Sequence, residues 1–216
     1  MTNGMEALLA RVKNALGNGA GPEPVERNYR DLMPPVGGSG EDQVELFARN
    51  VKALSGGFMP TGSFEEAVER LKVLARELGW KKVACHGTGN SFKAASALGL
   101  EVLNTDGGYD KLELEKCDAG ISLCLALVAQ TGSVLVSATS SGGRGLSILP
   151  PHHVVLAETS QMVSDLSEAF EVIEKRYGKD YPTSLSFITG PSRTADIEQQ
   201  LVLGAHGPKK LTILMY

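Results

Sequence analysis

The chain has 216 residues, 42% hydrophobic and 21% charged, the make-up of an ordinary globular protein with room for one sizeable α/β core. Its net charge is −4 at pH 7 and it contains no block of Lys or Arg, which argues against a general binder of nucleic acid. Its longest apolar stretch, residues 121–129, is too short to span a bilayer, so no membrane association is expected.

Met5, Leu8, Leu9, Val12 and Leu16 recur at helical spacing, with Gly17 as a stop. This start lacks the apolar run of a signal peptide, so a cytoplasmic protein is expected. Residues 17–40 are rich in Gly, Pro and polar side chains. They read either as a strap pinned by Tyr29, Leu32 and Met33 or as a partly disordered tail. The expected division is an N-terminal helix and linker over 1–40, then a folded domain over 41–216.

Within that domain Val44, Phe47, Val51 and Leu54 line one face of a helix that ends at Gly56 and Gly57. Ser63 and Glu66 form a capping box ahead of the stripe Ala67, Leu71, Leu74 and Leu78, closed by Gly79. Residues 82–85 read as a strand. Short apolar runs follow: 121–129, then Val134 and Val136 before a Gly-rich turn at 140–145, then 154–157 after Pro150 and Pro151. A helix over 165–177, stopped by Gly178, precedes final strands at 185–188 and 211–214. Alternating strands and helices predict an α/β fold: a mostly parallel sheet covered by helices, with an N-terminal helical extension.

Cys85, Cys117 and Cys124 are scattered and form no C-x-x-C pair. An iron–sulfur cluster needs four closely spaced thiolates, so no cluster or other cofactor is expected on this chain, and no metal site. Buried, reduced thiols are the expected state.

The richest local chemistry lies in Gly190-Pro-Ser-Arg-Thr-Ala-Asp-Ile-Glu198, between the 185–188 strand and a helix expected to begin near Ile197 and Leu201. There the freed N–H groups, Gly190, the Ser192 and Thr194 hydroxyls, the Arg193 guanidinium and Asp196 would stand at a strand's carboxyl end, where α/β proteins bind anions. An ordinary helix start, with Ser192 or Thr194 capping and Asp196 complementing the dipole, is the other reading. Gly87, Thr88 and Gly89 follow the 82–85 strand in a loop that lets backbone N–H groups approach a ligand, or simply turns into a helix. Arg144, in a glycine-flanked turn, suits a bidentate clamp on a carboxylate or phosphate, or is simply a solvated turn arginine. His153 and His206 have side chains suited to acid–base work or to structural hydrogen bonds. Gln130, Thr131 and Gly132 lie between two strand-like runs, as amide hydrogen-bonding groups or a structural turn.

These stretches also carry a resemblance. The 190–198 segment, Leu201-Val-Leu-Gly-Ala-His-Gly-Pro208, Ala129-Gln-Thr-Gly-Ser-Val-Leu-Val136 and Arg144-Gly-Leu-Ser-Ile-Leu-Pro-Pro-His-His153 occur in the order found in the LUD-domain family. Over residues 118–214 the chain resembles its lactate-utilization protein C (LutC/YkgG) group in particular. The resemblance implies a NagB/RpiA/CoA transferase-like sheet. It also implies a cytosolic, cluster-free component of an L-lactate utilisation system, oxidising lactate to pyruvate with iron–sulfur partner proteins and binding a small anionic ligand. The family commonly has Glu where this chain has Gln130, and in the related CoA transferases a similarly placed Glu is the nucleophile. A neutral amide cannot take that role, which argues against CoA transfer here. Two alternatives stay open. One is a free-standing enzyme whose 86–91 and 190–194 loops jointly cradle a phosphorylated or acyl substrate; the other is a ligand-sensing module without catalysis. No catalytic residue is assigned from the sequence, and an oligomer is left open.

Overall fold

A computed structural model of the chain describes residues 3–16, 40–87, 89–139, 144–194, 202–204 and 206–216. The expected strap or tail over 17–39, Thr88, the glycine turn at 140–143, Asp196 and the helix start at Ile197 and Leu201 lie outside the described residues. The chain divides into two compact units, 1–34 and 35–216. In the first, α1 (Asn3–Leu16) leaves Met5, Leu8, Leu9 and Val12 exposed along one stripe.

The second unit runs, in chain order, through α2 (Gly40–Ala53), β1 (Gly57–Pro60), α3 (Phe64–Glu77), β2 (Lys82–Cys85), α4 (Asn90–Ala97), β3 (Glu101–Asn104), α5 (Lys111–Glu115) and β4 (Ala119–Leu123). It continues with β5 (Ala126–Val128), β6 (Ser133–Ser137), β7 (His152–Ala157), β8 (Met162–Val163), α6 (Leu166–Tyr177), β9 (Leu185–Ile188), β10 (Arg193–Thr194), β11 (Val202–Leu203) and β12 (Lys210–Met215).

Six strands form a fully parallel sheet in the order β1-β12-β7-β4-β2-β3. Buried on both faces, such a sheet reads as continuous apolar runs rather than as alternation. β7 is the clearest case: Val154 and Leu156 face a core completed by Leu71 and Ala75 of α3 and Ala94 of α4, while Val155 and Ala157 face the opposite core with Phe47 and Val51 of α2. A second sheet, β8-β5-β6-β9, lies over that opposite face. Leu127 and Val134 join the α2 core, and Ala126, Val128 and Leu135 pack under Ala169 and Ile173 of α6.

The α/β class and the parallel sheet match the expectation; three local details do not. The apolar run at 121–129 is two strands in different sheets, β4 and β5, because the chain turns at Cys124 and the Leu125 N–H donates to the Leu135 carbonyl at 2.8 Å. Residues 202–203, expected in a helix, are extended and pair antiparallel with 193–194. Ser63 does cap α3, accepting from the Glu66 N–H at 3.2 Å, but the Glu66 carboxylate reaches back one residue further, to the Gly62 N–H at 2.9 Å. The second sheet was not foreseen from the sequence. Its strands are only 2–5 residues long, too short to show a period.

Candidate functional site

Two cavities collect most of the polar chemistry. The first, about 280 Å³, is lined by Arg144, Ser147, Gly190, Ser192 and His206, with Ser186 of β9 on its wall. Gly190 has φ +84°, and a side chain there would run into the Leu54 carbonyl, so glycine is required where the chain leaves β9. Beyond it the Ser192 N–H donates to the Pro208 carbonyl and the Gly204 N–H donates to the Ser192 carbonyl, both at 2.9 Å, which binds the 190–194 and 204–208 segments together. Ser147 Oγ donates to the Arg144 carbonyl at 3.3 Å. Among the described residues no carboxylate pairs with the Arg144 guanidinium. One unpaired cation, a histidine and several hydroxyls suit a small anion.

The second cavity, about 360 Å³, sits at the carboxyl ends of the parallel strands and is lined by His86, Gly87, Asn90, Glu158, Arg176 and Tyr216, among others. From β2 the chain moves outward to β3, then returns to place β4 on β2's other side. That reversal makes a crevice between the two strands' carboxyl ends, the place where open α/β sheets bind ligands. Asp106, just past β3, holds the loop: its Oδ1 lies 2.7 Å from His86 Nδ1 and accepts the Gly87 N–H at 2.7 Å. Thr105 Oγ1 is 3.2 Å from the same ring nitrogen. Gly87 needs its φ of +78° to turn its N–H to that carboxylate. Gly89 then starts α4 without a side-chain cap. Asn90 Nδ2 donates to the Tyr216 hydroxyl at 3.0 Å. The Gln161 N–H donates to the Glu158 carbonyl at 2.9 Å and the Gln161 side-chain oxygen accepts the Glu158 N–H at 2.7 Å, closing the 3-10 turn Thr159–Gln161.

The cavities share a hinge of hydroxyls. The Tyr177 hydroxyl lies 2.9 Å from Ser137 Oγ, which lines the first cavity, and 3.0 Å from Thr139 Oγ1, which lines the second. Arg176, beside Tyr177, stacks its guanidinium 5.9 Å over the Tyr177 ring.

The remaining sequence candidates lie elsewhere. Arg193 is exposed, and its guanidinium donates to the Leu54 carbonyl and, at 3.2 Å, to Ser55 Oγ, outside both cavities. Thr194 sits in β10, paired with Val202. His153 is fully buried in β7, its Nε2 2.8 Å from Ser122 Oγ, and burial pushes its pKa down to about 3. His152 contacts Thr212 Oγ1 at 2.8 Å and Trp80 edge-on, with its pKa lowered by burial to about 4. Thr131 Oγ1 donates to Ser133 Oγ at 2.7 Å, which in turn bonds Thr189 at 2.8 Å. Gly132, φ +66°, has no space for a side chain against the α2 backbone at Val51. Gly87 and Gly89 line one cavity while Gly190 and Ser192 line the other.

All three cysteines are free and buried, and burial raises their thiols to about 11, 11 and 12 for Cys85, Cys117 and Cys124. Among the described residues no three His, Cys, Asp or Glu side chains gather to hold a metal, and no helix is long and apolar enough to cross a membrane.

Sequence reasoning noted the 86–91 loop but missed Asp106 and Arg176. The signal for Asp106 was a matter of register. β2 and β3 pair with Cys85 beside Asn104, which carries the residues just beyond both strands to the same crevice.

A parallel six-stranded sheet covered by helices, with a crevice at its carboxyl ends, defines an α/β protein. The LUD domain model matches residues 44–216, and the chain belongs to that family. Lactate utilization protein C of Oceanobacillus iheyensis is 25% identical, covering 97% of both chains. Lactate utilization protein C of Anoxybacillus flavithermus is 29% identical, covering 98% of both. The crystal structure of a DUF162 family protein from Deinococcus radiodurans aligns over 83% of this chain and 99% of that one, with TM-score 0.62 and 18% identity, a likeness of fold.

Proposed function

We propose that this protein serves L-lactate utilisation as a cytosolic component without a redox centre of its own, working with iron–sulfur partner proteins that carry electrons from lactate. The observation that carries this reading is the near end-to-end match to two relatives named lactate utilization protein C, over 97–98% of each chain. Deleting the gene should abolish or slow growth on L-lactate as sole carbon source, with growth on glucose unaffected and the defect reversed by the intact gene. Normal growth on lactate without it would refute the assignment.

The ligand we assign is a small anion, held in the Arg144 cavity. Arg144, Gly190, Ser192 and His206, from distant parts of the sequence, line that one space. Arg144 supplies the charge and serine hydroxyls the remaining donors. Calorimetric titration with L-lactate, pyruvate and inorganic phosphate checks this: at least one should bind, and Arg144→Gln should weaken it.

A further inference from the structure

The second cavity holds a pairing that the anion site does not. His86 is fixed through Nδ1 by a carboxylate, Asp106 Oδ1, at 2.7 Å. An imidazole that donates from Nδ1 to a carboxylate presents Nε2 as its acceptor. Among the described residues no hydrogen bond engages Nε2, and His86 lines the cavity with 26% of its side chain exposed. Asp106 cannot swing away without cost, because the Gly87 N–H also binds it at 2.7 Å.

The same cavity contains a cation. Arg176, in the last turn of α6, lines it, and no carboxylate among the described residues neutralises the guanidinium. The acid sharing the space, Glu158, accepts the Ser160 hydroxyl on its carboxylate at 3.4 Å. The thiol there, Cys124, is held protonated by burial and contacts Gln161 Oε1 at 3.8 Å. A guanidinium that rests against Tyr177 without a carboxylate partner among the described residues, and an imidazole oriented by Asp106, share one space of about 360 Å³ and complement a short molecule with an anionic group and a hydroxyl.

We propose that this crevice is a binding site for a small hydroxycarboxylate, with its carboxylate on Arg176 and its hydroxyl donating to His86 Nε2. Asp106 is a positioning residue: it keeps the imidazole in the accepting tautomer. This deepens the lactate reading but does not depend on it, because the recognition follows from charge and hydrogen-bond polarity alone. It is also separate from the Arg144 cavity, whose cation is on a different segment.

The test compares L-lactate with propionate, the same acid without its hydroxyl, by titration of the full chain. Lactate should bind about tenfold more tightly, the value of one well-placed hydrogen bond to a hydroxyl. His86→Ala and His86→Phe should erase that preference while retaining propionate binding. Arg176→Gln should weaken both ligands about tenfold. In the unaltered protein, long-range proton–nitrogen spectra should show His86 protonated on Nδ1, with Nε2 shifting on addition of lactate and not of propionate. This measurement needs no variant to fold. Equal binding of the two acids by the unaltered protein would overturn the proposal, as would an Nε2 resonance indifferent to lactate. Loss of the hydroxyl preference in Arg144→Gln but not in His86→Ala would move the ligand to the other cavity. A strain that grows normally on lactate without the gene, with this preference intact, would remove the pathway reading and leave the site.

Discussion

The side-chain amide of Asn50, in α2, donates to the carbonyls of both Ala129 and Gln130 at 2.9 Å, clamping the β5–β6 turn to the helix. The turn comes close enough that Gly132 faces the backbone of Asn50 and Val51 directly. The Gln130–Gly132 motif is thereby built into the contact between α2 and the second sheet.

Asn50→Ala should therefore lower stability by about 1–3 kcal/mol, because two partly buried carbonyls lose their donor. Gly132→Ala should cost roughly 2–4 kcal/mol, from the positive φ and from a Cβ that would lie 2.9 Å from the Val51 nitrogen. Denaturant melts of both variants check this; a Gly132→Ala protein as stable as the parent would contradict the geometry.

The two arginines singled out from the sequence should part company. Arg144→Gln should weaken small-anion binding by about 1.5–3 kcal/mol, the range for a hydrogen bond to a charged group, with the melting temperature nearly unchanged. Arg193→Ala should leave binding intact and slightly lower the melting temperature, because its guanidinium ties the 193–194 strand to the Leu54 carbonyl and Ser55 hydroxyl at the end of α2. Paired titrations and melts of the two variants decide the matter; loss of binding in Arg193→Ala would reverse the assignment.

Acid should destabilise the protein through His152 and His153. Their folded pKa values, about 4 and about 3, lie below the unfolded value near 6.5 because burial penalises the charged ring. Between those limits the unfolded chain binds more protons, so stability is full above pH 6.5 and falls as pH drops below it. By pH 5 the loss is about 2 kcal/mol per histidine. Melts from pH 7.5 to 5 should show this slope, and His153→Gln should flatten part of it; an unchanged slope would assign the acid sensitivity to other groups.

The thiols give a further check. With Cys85, Cys117 and Cys124 all buried and protonated, an aromatic disulfide reagent at pH 8 should label the folded protein slowly and all three positions rapidly in denaturant. Rapid labelling of Cys124 before unfolding would show that the second cavity opens.

Helices α1, α2, α3 and α6 were legible because their signals are local, whereas α5 and β3 were not read from the sequence. Asp165 caps α6 and Gly178 ends it, where the sequence put them, and the stripe from Ala67 to Leu74 packs as its spacing required. The central strands were legible as apolar runs, but which sheet each joins was not. β4 and β5 form one uninterrupted hydrophobic stretch, and only the long-range pairing of β5 with β6 separates them. The candidate sites were legible to the extent that glycine and arginine announce themselves: Gly190 and Arg144 do line one cavity. His153 shows the limit. Its side chain suited either acid–base work or a structural hydrogen bond, and only the β7 register on β4 and β12 shows that it is buried between neighbouring strands. Asp106 and Arg176 carry no pattern of their own, and only the tertiary fold brings them to His86.

The hydroxyls of Ser137, Thr139 and Tyr177 touch both cavities through a single phenol. That phenol is bonded to a wall of each space. If filling the Arg144 cavity draws on the Tyr177 hydroxyl, the affinity of the His86 cavity changes by some factor, and filling the His86 cavity must change the first by that same factor. Under the function proposed above, the chain would then report how much of one small acid is present through its grip on another.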